Sequence, residues 1–154
     1  MEKMATILAT LGLRLHPDKT KIVRLSGGKE GFDFLGFHLR MRKSWKWQKW
    51  YLNSWPSPRA MQAIRERIRD ITDRRHVGLP VNEIVDRVNA AMLNWARYYR
   101  HGTSSRQFSA VRGYAHERLA IFTSVKHQKR GRNLKTTYNY TWSERIGLIH
   151  LRCG

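Results

Sequence analysis

Trp55-Pro56-Ser57-Pro58-Arg59-Ala60-Met61 is the stretch at which the pattern of the chain changes. Before it, apolar and aromatic residues alternate with polar ones, the period of a strand whose side chains point to opposite faces in turn. After it, Met61, Ile64, Ile68 and Ile71 recur at spacings of 3, 4 and 3, which lines them along one face of a helix. Between the two lies a helix start: Ser57 is a capping residue, and Pro58 suits the first helical position, where a missing N–H costs nothing. Gly78 and Pro80 break this helix. The fold class is therefore α+β, with strands before residue 56 and helices after it.

Downstream, a second helix is predicted from Val81 to Arg100. Its stripe is Ile84, Val88, Ala91, Trp95 and Tyr98, widened by Val85, Met92 and Tyr99, and His101-Gly102 stops it. Ser104-Ser105-Arg106-Gln107 has the spacing of a capping box for a third helix, which continues through Phe108, Val111, Ala115, Leu119 and Phe122. After Ser124 no helix-length apolar stripe follows. Tyr138, Tyr140, Trp142, Ile146, Leu148 and Ile149 could dock on something but cannot form a core alone.

Upstream, Phe32 to Leu39 reads as one strand, in which Gly36 marks a bulge or a close backbone approach. Lys19 to Leu25 favours an earlier strand, with Gly27, Gly28 and Gly31 in the turn between them. A further hairpin turns near Lys43-Ser44 and returns through Trp50 to Trp55. Met4, Ile7, Leu8 and Leu11 give a short amphipathic helix that Gly12 stops. The chain thus divides into residues 1–55, a three-helix unit over 56–125, and a basic C-terminal tail over 126–154.

Charge narrows the class of partner. Against 11 Asp+Glu stand 30 Lys+Arg, a formal net charge of +19, so the folded chain repels itself and calls for a polyanion. No apolar run reaches the ~18 residues that span a bilayer, and the N-terminus lacks the pattern of a signal peptide. The single cysteine, Cys153, excludes an internal disulfide framework. These features predict a cytoplasmic protein with no membrane partner.

Between Asp33 and Glu66 there is no acidic residue, while Arg40, Arg42, Lys43, Lys46, Lys49, Arg59 and Arg65 all fall there. Trp45, Trp47, Trp50, Tyr51 and Trp55 are interleaved with them. Cations neutralise phosphates and aromatic faces stack on bases or riboses, so this segment is the first candidate for nucleic-acid binding. The alternative is a hairpin with a solvated face and a tryptophan-rich core face. A second acid-free run, Arg118 to Lys135, holds Lys126, Lys129, Arg130 and Arg132. It is either a contact for polyanions or a solvated tail. Arg65, Arg67, Arg69, Arg74 and Arg75 share their helix with Glu66, Asp70 and Asp73, which reads as an internally paired, solvated face.

Catalytic constellations are missing. The carboxylates are scattered, with no adjacent pair for a two-metal site. His150-x-x-Cys153 offers two ligands where a structural zinc takes four. No cofactor or metal is expected in this chain.

Leu11-Gly12-Leu13-Arg14-Leu15-His16-Pro17-Asp18-Lys19-Thr20-Lys21-Ile22, followed by Phe32-Asp33-Phe34-Leu35-Gly36-Phe37, resembles the end of the reverse-transcriptase palm. Pro58 to about Asn133 resembles the thumb, or maturase domain, of group II intron-encoded reverse transcriptases. Leu93-Asn94-Trp95-Ala96-Arg97-Tyr98-Tyr99-Arg100 is the most telling piece. The resemblance spans roughly residues 5–135. It implies a palm-end remnant of a helix and antiparallel hairpins, then a three-helix thumb, in a family of RNA-directed DNA polymerases that bind their own intron, help it splice and copy it.

Carried over, it places Lys19 and Thr20 beside the nucleotide and template path, and Phe34, Leu35, Gly36 and Phe37 in the hairpin that grips the primer terminus. It also makes the basic thumb helices, with Arg97 and Arg100, a surface for template–primer and intron RNA. The family's polymerase centre uses Y-A-D-D and an earlier aspartate to hold Mg²⁺, and no Asp-Asp pair exists here. The resemblance therefore implies an RNA-binding C-terminal piece without polymerase activity of its own, truncated or excised. The alternatives are the second half of a split enzyme that works only with a separate palm and fingers polypeptide, or a generic basic DNA- or RNA-binding module.

Overall fold

The computed structural model describes residues 2–14, 16, 23–128 and 137–152. Lys19, Thr20, Lys129, Arg130 and Arg132, together with the first half of the earliest expected strand, lie outside the described residues. In chain order the elements are α1 (Glu2–Thr10), β1 (Gly31–Phe34), β2 (Phe37–Lys43), β3 (Trp50–Pro56), α2 (Pro58–Ile71), α3 (Val81–Tyr99), α4 (Ser105–Lys126) and α5 (Tyr140–Arg145). Single 3-10 turns lie at Ser26–Gly28 and Arg74–His76. The architecture is α+β, a three-stranded antiparallel sheet in the order β1-β2-β3 joined to a helical core.

Gly12 ends α1 as expected. At φ 71° it lets Leu13 N–H reach Leu8 O at 2.9 Å while its own N–H reaches Ala9 O at 3.1 Å, which satisfies two carbonyls of the last turn. Residues 23–25 are not a strand, and the 3-10 turn at Ser26–Gly28 follows them directly.

The single strand expected over Phe32 to Leu39 is instead two. Leu35 and Gly36, at φ 47° and 80°, form a two-residue turn that joins β1 to β2. Two successive left-handed residues give a turn whose twist matches that of the flanking strands. Phe34 pairs with Phe37 across it, so Phe32, Phe34, Phe37 and Leu39 share one face and the alternation shifts by one residue at the turn. Apolar Leu35 at the first turn position alternates in sequence with Phe37 and Leu39, which makes the break hard to see.

The main core lies among the helices. Ile64, Ile68 and Ile71 of α2 meet Ile84, Val85, Val88 and Met92 of α3 and Val111, Ala115, Leu119 and Phe122 of α4. The α2 and α4 stripes are as expected. Ser57 caps α2, its hydroxyl accepting from Ala60 N at 3.3 Å. The α3 stripe is rotated from its expected line: Ala96 and Tyr99 are buried while Tyr98 is exposed. The capping box at Ser104 does not form. Ser104 Oγ donates instead to Tyr99 O at 3.0 Å, closing the end of α3 rather than the start of α4.

Residues 137–152 pack onto the helices, burying Tyr138, Ser143 and Leu148. Asn139 caps α5 by accepting from Trp142 N at 3.0 Å, and Gly147 at φ 82° turns the chain out of it. Asn89 of α3 then holds the extended end on both sides. Its Nδ2 donates to Gly147 O at 2.9 Å and its Oδ1 accepts from Ile149 N at 3.2 Å. Arg112, buried on α4, donates to Ile149 O at 3.2 Å and lies 4.2 Å over the Tyr140 ring. Burial holds its guanidinium below the ordinary arginine pKa, against the pull of Glu144. Asn89→Ala would remove both hydrogen bonds, each worth ~0.5–1.5 kcal/mol net. The expected result is a loss of about 2 kcal/mol in urea unfolding, with faster amide exchange at Ile149. Unchanged exchange at Ile149 would show that the clamp does not hold this segment.

Candidate nucleic-acid interface

Two strands and the loop between them position the first basic run. In β2 and β3 the register sets Arg40 opposite Asn53, Arg42 opposite Tyr51 and Lys43 opposite Trp50. Because side chains alternate, Arg40 and Arg42 share one face with Tyr51, Asn53 and Trp55, while Lys43 shares the other with Met41 and Trp50. The run is therefore not one flat patch. It wraps the outer end of the hairpin.

Loop 44–49 is ordered by four hydrogen bonds. Ser44 N donates to Lys49 O at 2.8 Å, Gln48 N to Ser44 O at 3.0 Å, Trp47 N to Ser44 Oγ at 3.3 Å and Gln48 Nε2 to Trp45 O at 2.9 Å. This fixed loop presents Trp45 at 93% exposure and Trp47 at 68%. Lys46 Nζ sits 5.0 Å from the Trp47 ring centre. The reading of these tryptophans as a core face is thereby corrected: those of the loop pack on nothing that buries them.

Beside the hairpin, the Ser26–Gly28 turn leaves a cleft of about 360 Å³ lined by Arg40, Arg42, Lys43, Trp50 and Trp55, with no carboxylate in its wall. Arg40 Nε donates to Gly28 O at 2.7 Å, so this arginine is held in place and still offers its terminal nitrogens. A larger cleft of about 690 Å³ lies between α2 and α3, lined by Arg67, Asp70, His76, Arg87 and Asn94. Its charge is partly cancelled, since Asp70 is in the wall and Arg87 pairs with Glu83 at 2.6 Å. Volume favours the second cleft, but unopposed charge favours the first, and charge decides for a polyanion.

Other predicted contact residues fall elsewhere. Gly36 and Phe37 sit at the junction of sheet and helix. A Cβ on Gly36 would come within 2.6 Å of Tyr99 Oη, the close approach that its place in the sequence suggested. Phe37 stacks on Tyr98 at 5.5 Å and meets Tyr99 edge-on at 4.9 Å. Tyr98 Oη donates to Leu35 O at 2.8 Å and Ser57 N to Gly36 O at 2.8 Å. The two most recognisable motifs, F-L-G-F and W-x-x-Y-Y, thus form one contact.

Arg97 and Arg100 are exposed on α3 and its end, Arg100 bonding His101 at 3.1 Å. Lys126 is a structural tie, donating to Val77 O at 2.6 Å and Leu79 O at 2.9 Å. Arg118 likewise holds Thr72 Oγ1 at 3.1 Å. Sequence reasoning offered Trp45 and Trp47 as stacking faces among the cations, and the structure leaves both rings exposed. Their signal was tryptophan in a stretch lacking the apolar neighbours that bury a ring.

Among the described residues no three His, Cys, Asp or Glu side chains group so as to hold a metal ion, and no helix is long and apolar enough to cross a membrane. No curated protein matches the chain. Residues 61–139, from within α2 to the cap of α5, match the family model of the group II intron maturase-specific domain. With just over half of its length so matched, and the F-L-G-F turn seated on the matched helices, the chain belongs to the group II intron maturase-specific domain family.

Proposed function

We propose that this chain is an RNA-binding maturase module that holds structured intron RNA through the outer end of the β2–β3 hairpin. The family membership supports an intron RNA as partner. The observation that carries the reading is the hairpin itself: Arg42, Lys43, Lys46 and Lys49 are exposed, and no acidic residue lies between Asp33 and Glu66 to neutralise them. In such a module the protein contributes binding and positioning, and the RNA carries the splicing chemistry. Template–primer holding is a further role that the same cations would serve.

The test is binding of the purified chain to a structured group II intron RNA across a salt series, with B-form DNA as competitor. With about six phosphate contacts the log–log slope is expected near −4 to −5. A flat salt response would sink the electrostatic reading, and equal competition by DNA would reduce the chain to a generic basic module.

A second reading rests on a different surface. Ile7, Leu11 and Leu13 around α1, with Phe34 and Leu35 of the β1–β2 turn, are exposed apolar side chains. Exposed apolar side chains in these two places favour a companion polypeptide, as a split reverse transcriptase would need. Recovery of template-directed synthesis on adding a palm and fingers polypeptide would support that reading over the first.

A further inference from the structure

A tryptophan left in water forgoes ~150–250 Å² of burial, so a fold does not normally spend a rigid loop on displaying two of them. Loop 44–49 does so at Trp45 and Trp47, and its four hydrogen bonds show that the display is built rather than frayed. The surroundings are cationic: Lys46 and Lys49 are in the loop, and Arg42 and Lys43 are at the end of β2. Rings offered at an acid-free tip fit a ligand that is both anionic and planar-faced. Bases inside a duplex have their faces covered by their neighbours, whereas unpaired bases have them free.

We propose that loop 44–49 reads unpaired nucleotides, Trp45 and Trp47 stacking on bases splayed from RNA loops, bulges or ends while the adjacent cations take the phosphates. This deepens the RNA-binding reading above and rests on it. It converts a basic surface, indifferent to RNA structure, into one that selects single-stranded elements within a folded RNA. Selection comes from stacking, so it tolerates any base.

The experiment uses the full chain, with a uridine oligomer and a blunt-ended RNA duplex of equal length as probes, and vesicles of mixed neutral and anionic phospholipid as a third arm. The native chain is expected to bind the oligomer more tightly than the duplex, with quenching of tryptophan emission. Trp45→Ala with Trp47→Ala should lower oligomer affinity by about tenfold or more and leave duplex affinity unchanged. Trp45→Phe with Trp47→Phe should restore most of the preference. Because both rings are exposed, the fold does not depend on them.

Equal loss for oligomer and duplex, or no loss for either, would overturn the proposal while leaving the electrostatic reading in place. Blue-shifted emission on vesicles, with RNA affinity insensitive to the rings, would overturn it in favour of a membrane surface. Absence of binding to either RNA would remove the RNA-binding reading itself, and this inference with it.

Discussion

Trp95→Ala is expected to cost about 3 kcal/mol of folding stability, at the lower end of the range for removing a large core side chain. Trp95 is half-buried, yet it packs against both apolar clusters: the bundle core, and the smaller group of Ala96, Tyr99 and Phe108 that faces Phe37 of the sheet. Its ring lies 4.9 Å from that of Tyr99 and 5.6 Å from that of Phe108. Truncation would open a void where the sheet meets the helices, not merely thin one helix face. Trp95 Nε1 is buried without a hydrogen-bond partner, a cost the ring already carries. Trp95→Phe removes that cost along with some area, so it is expected to fall within ~1 kcal/mol of the native chain. Urea midpoints at unchanged slope would report both values. A loss below ~1 kcal/mol for the alanine variant would mean that the two clusters cohere without this ring.

Neutralising the hairpin end should have the larger effect on binding. Replacing Arg42, Lys43, Lys46 and Lys49 with glutamine is expected to weaken RNA binding by about a hundredfold near physiological salt. The same change should shrink the salt slope by about 3, at ~0.7–0.9 for each phosphate no longer neutralised. The control is Arg74→Gln with Arg75→Gln. The Arg75 backbone N–H, and after it the Arg75 side chain donating to Asp73 Oδ1 at 2.8 Å, hold the Asp73 carboxyl below the ordinary carboxylate range. A cation so engaged has less to offer a phosphate, so the control should change affinity only slightly. Equal losses in the two variants would place the main RNA contact elsewhere than the hairpin. Arg42 and Lys43 point to opposite faces, so Arg42→Gln and Lys43→Gln measured singly also report whether the RNA wraps the hairpin or lies on one side of it.

Helix periodicity made the bundle legible. Ile64, Ile68 and Ile71, and Phe108, Val111, Ala115, Leu119 and Phe122, are apolar at helical spacing and are buried as that spacing implies. Where a side chain is amphipathic the pattern misleads. Tyr98 continues the α3 stripe in sequence, but its hydroxyl belongs to Leu35 O, which draws the ring out of the core and leaves the buried place to Tyr99. The β1–β2 turn was hidden because apolar Leu35 stands at its first position, so that Leu35, Phe37 and Leu39 alternate in sequence as one strand would. That the apolar residues between Tyr138 and Ile149 could dock was legible, but where they dock was not: they follow no period, and what holds them is an amide on α3 some sixty positions away.

The candidate interface was legible as composition, basic and aromatic without acid. Which cations are at liberty was not, because that depends on carbonyls brought near by the fold, as Val77 and Leu79 are to Lys126.

The turn at Leu35-Gly36 is pinned to α3 at one end of the sheet, and Trp45 stands at the other. Seven residues of β2 at about 3.3 Å each put ~23 Å between them. The hairpin is therefore an arm, clamped at its root by two tyrosines and a serine N–H, steadied midway by the bond from Arg40 to Gly28 O, and exposed at its tip. A load at the tip therefore acts on the helices through a lever arm of about that length, and a rotation of the helices sweeps the tip through an arc that grows with it.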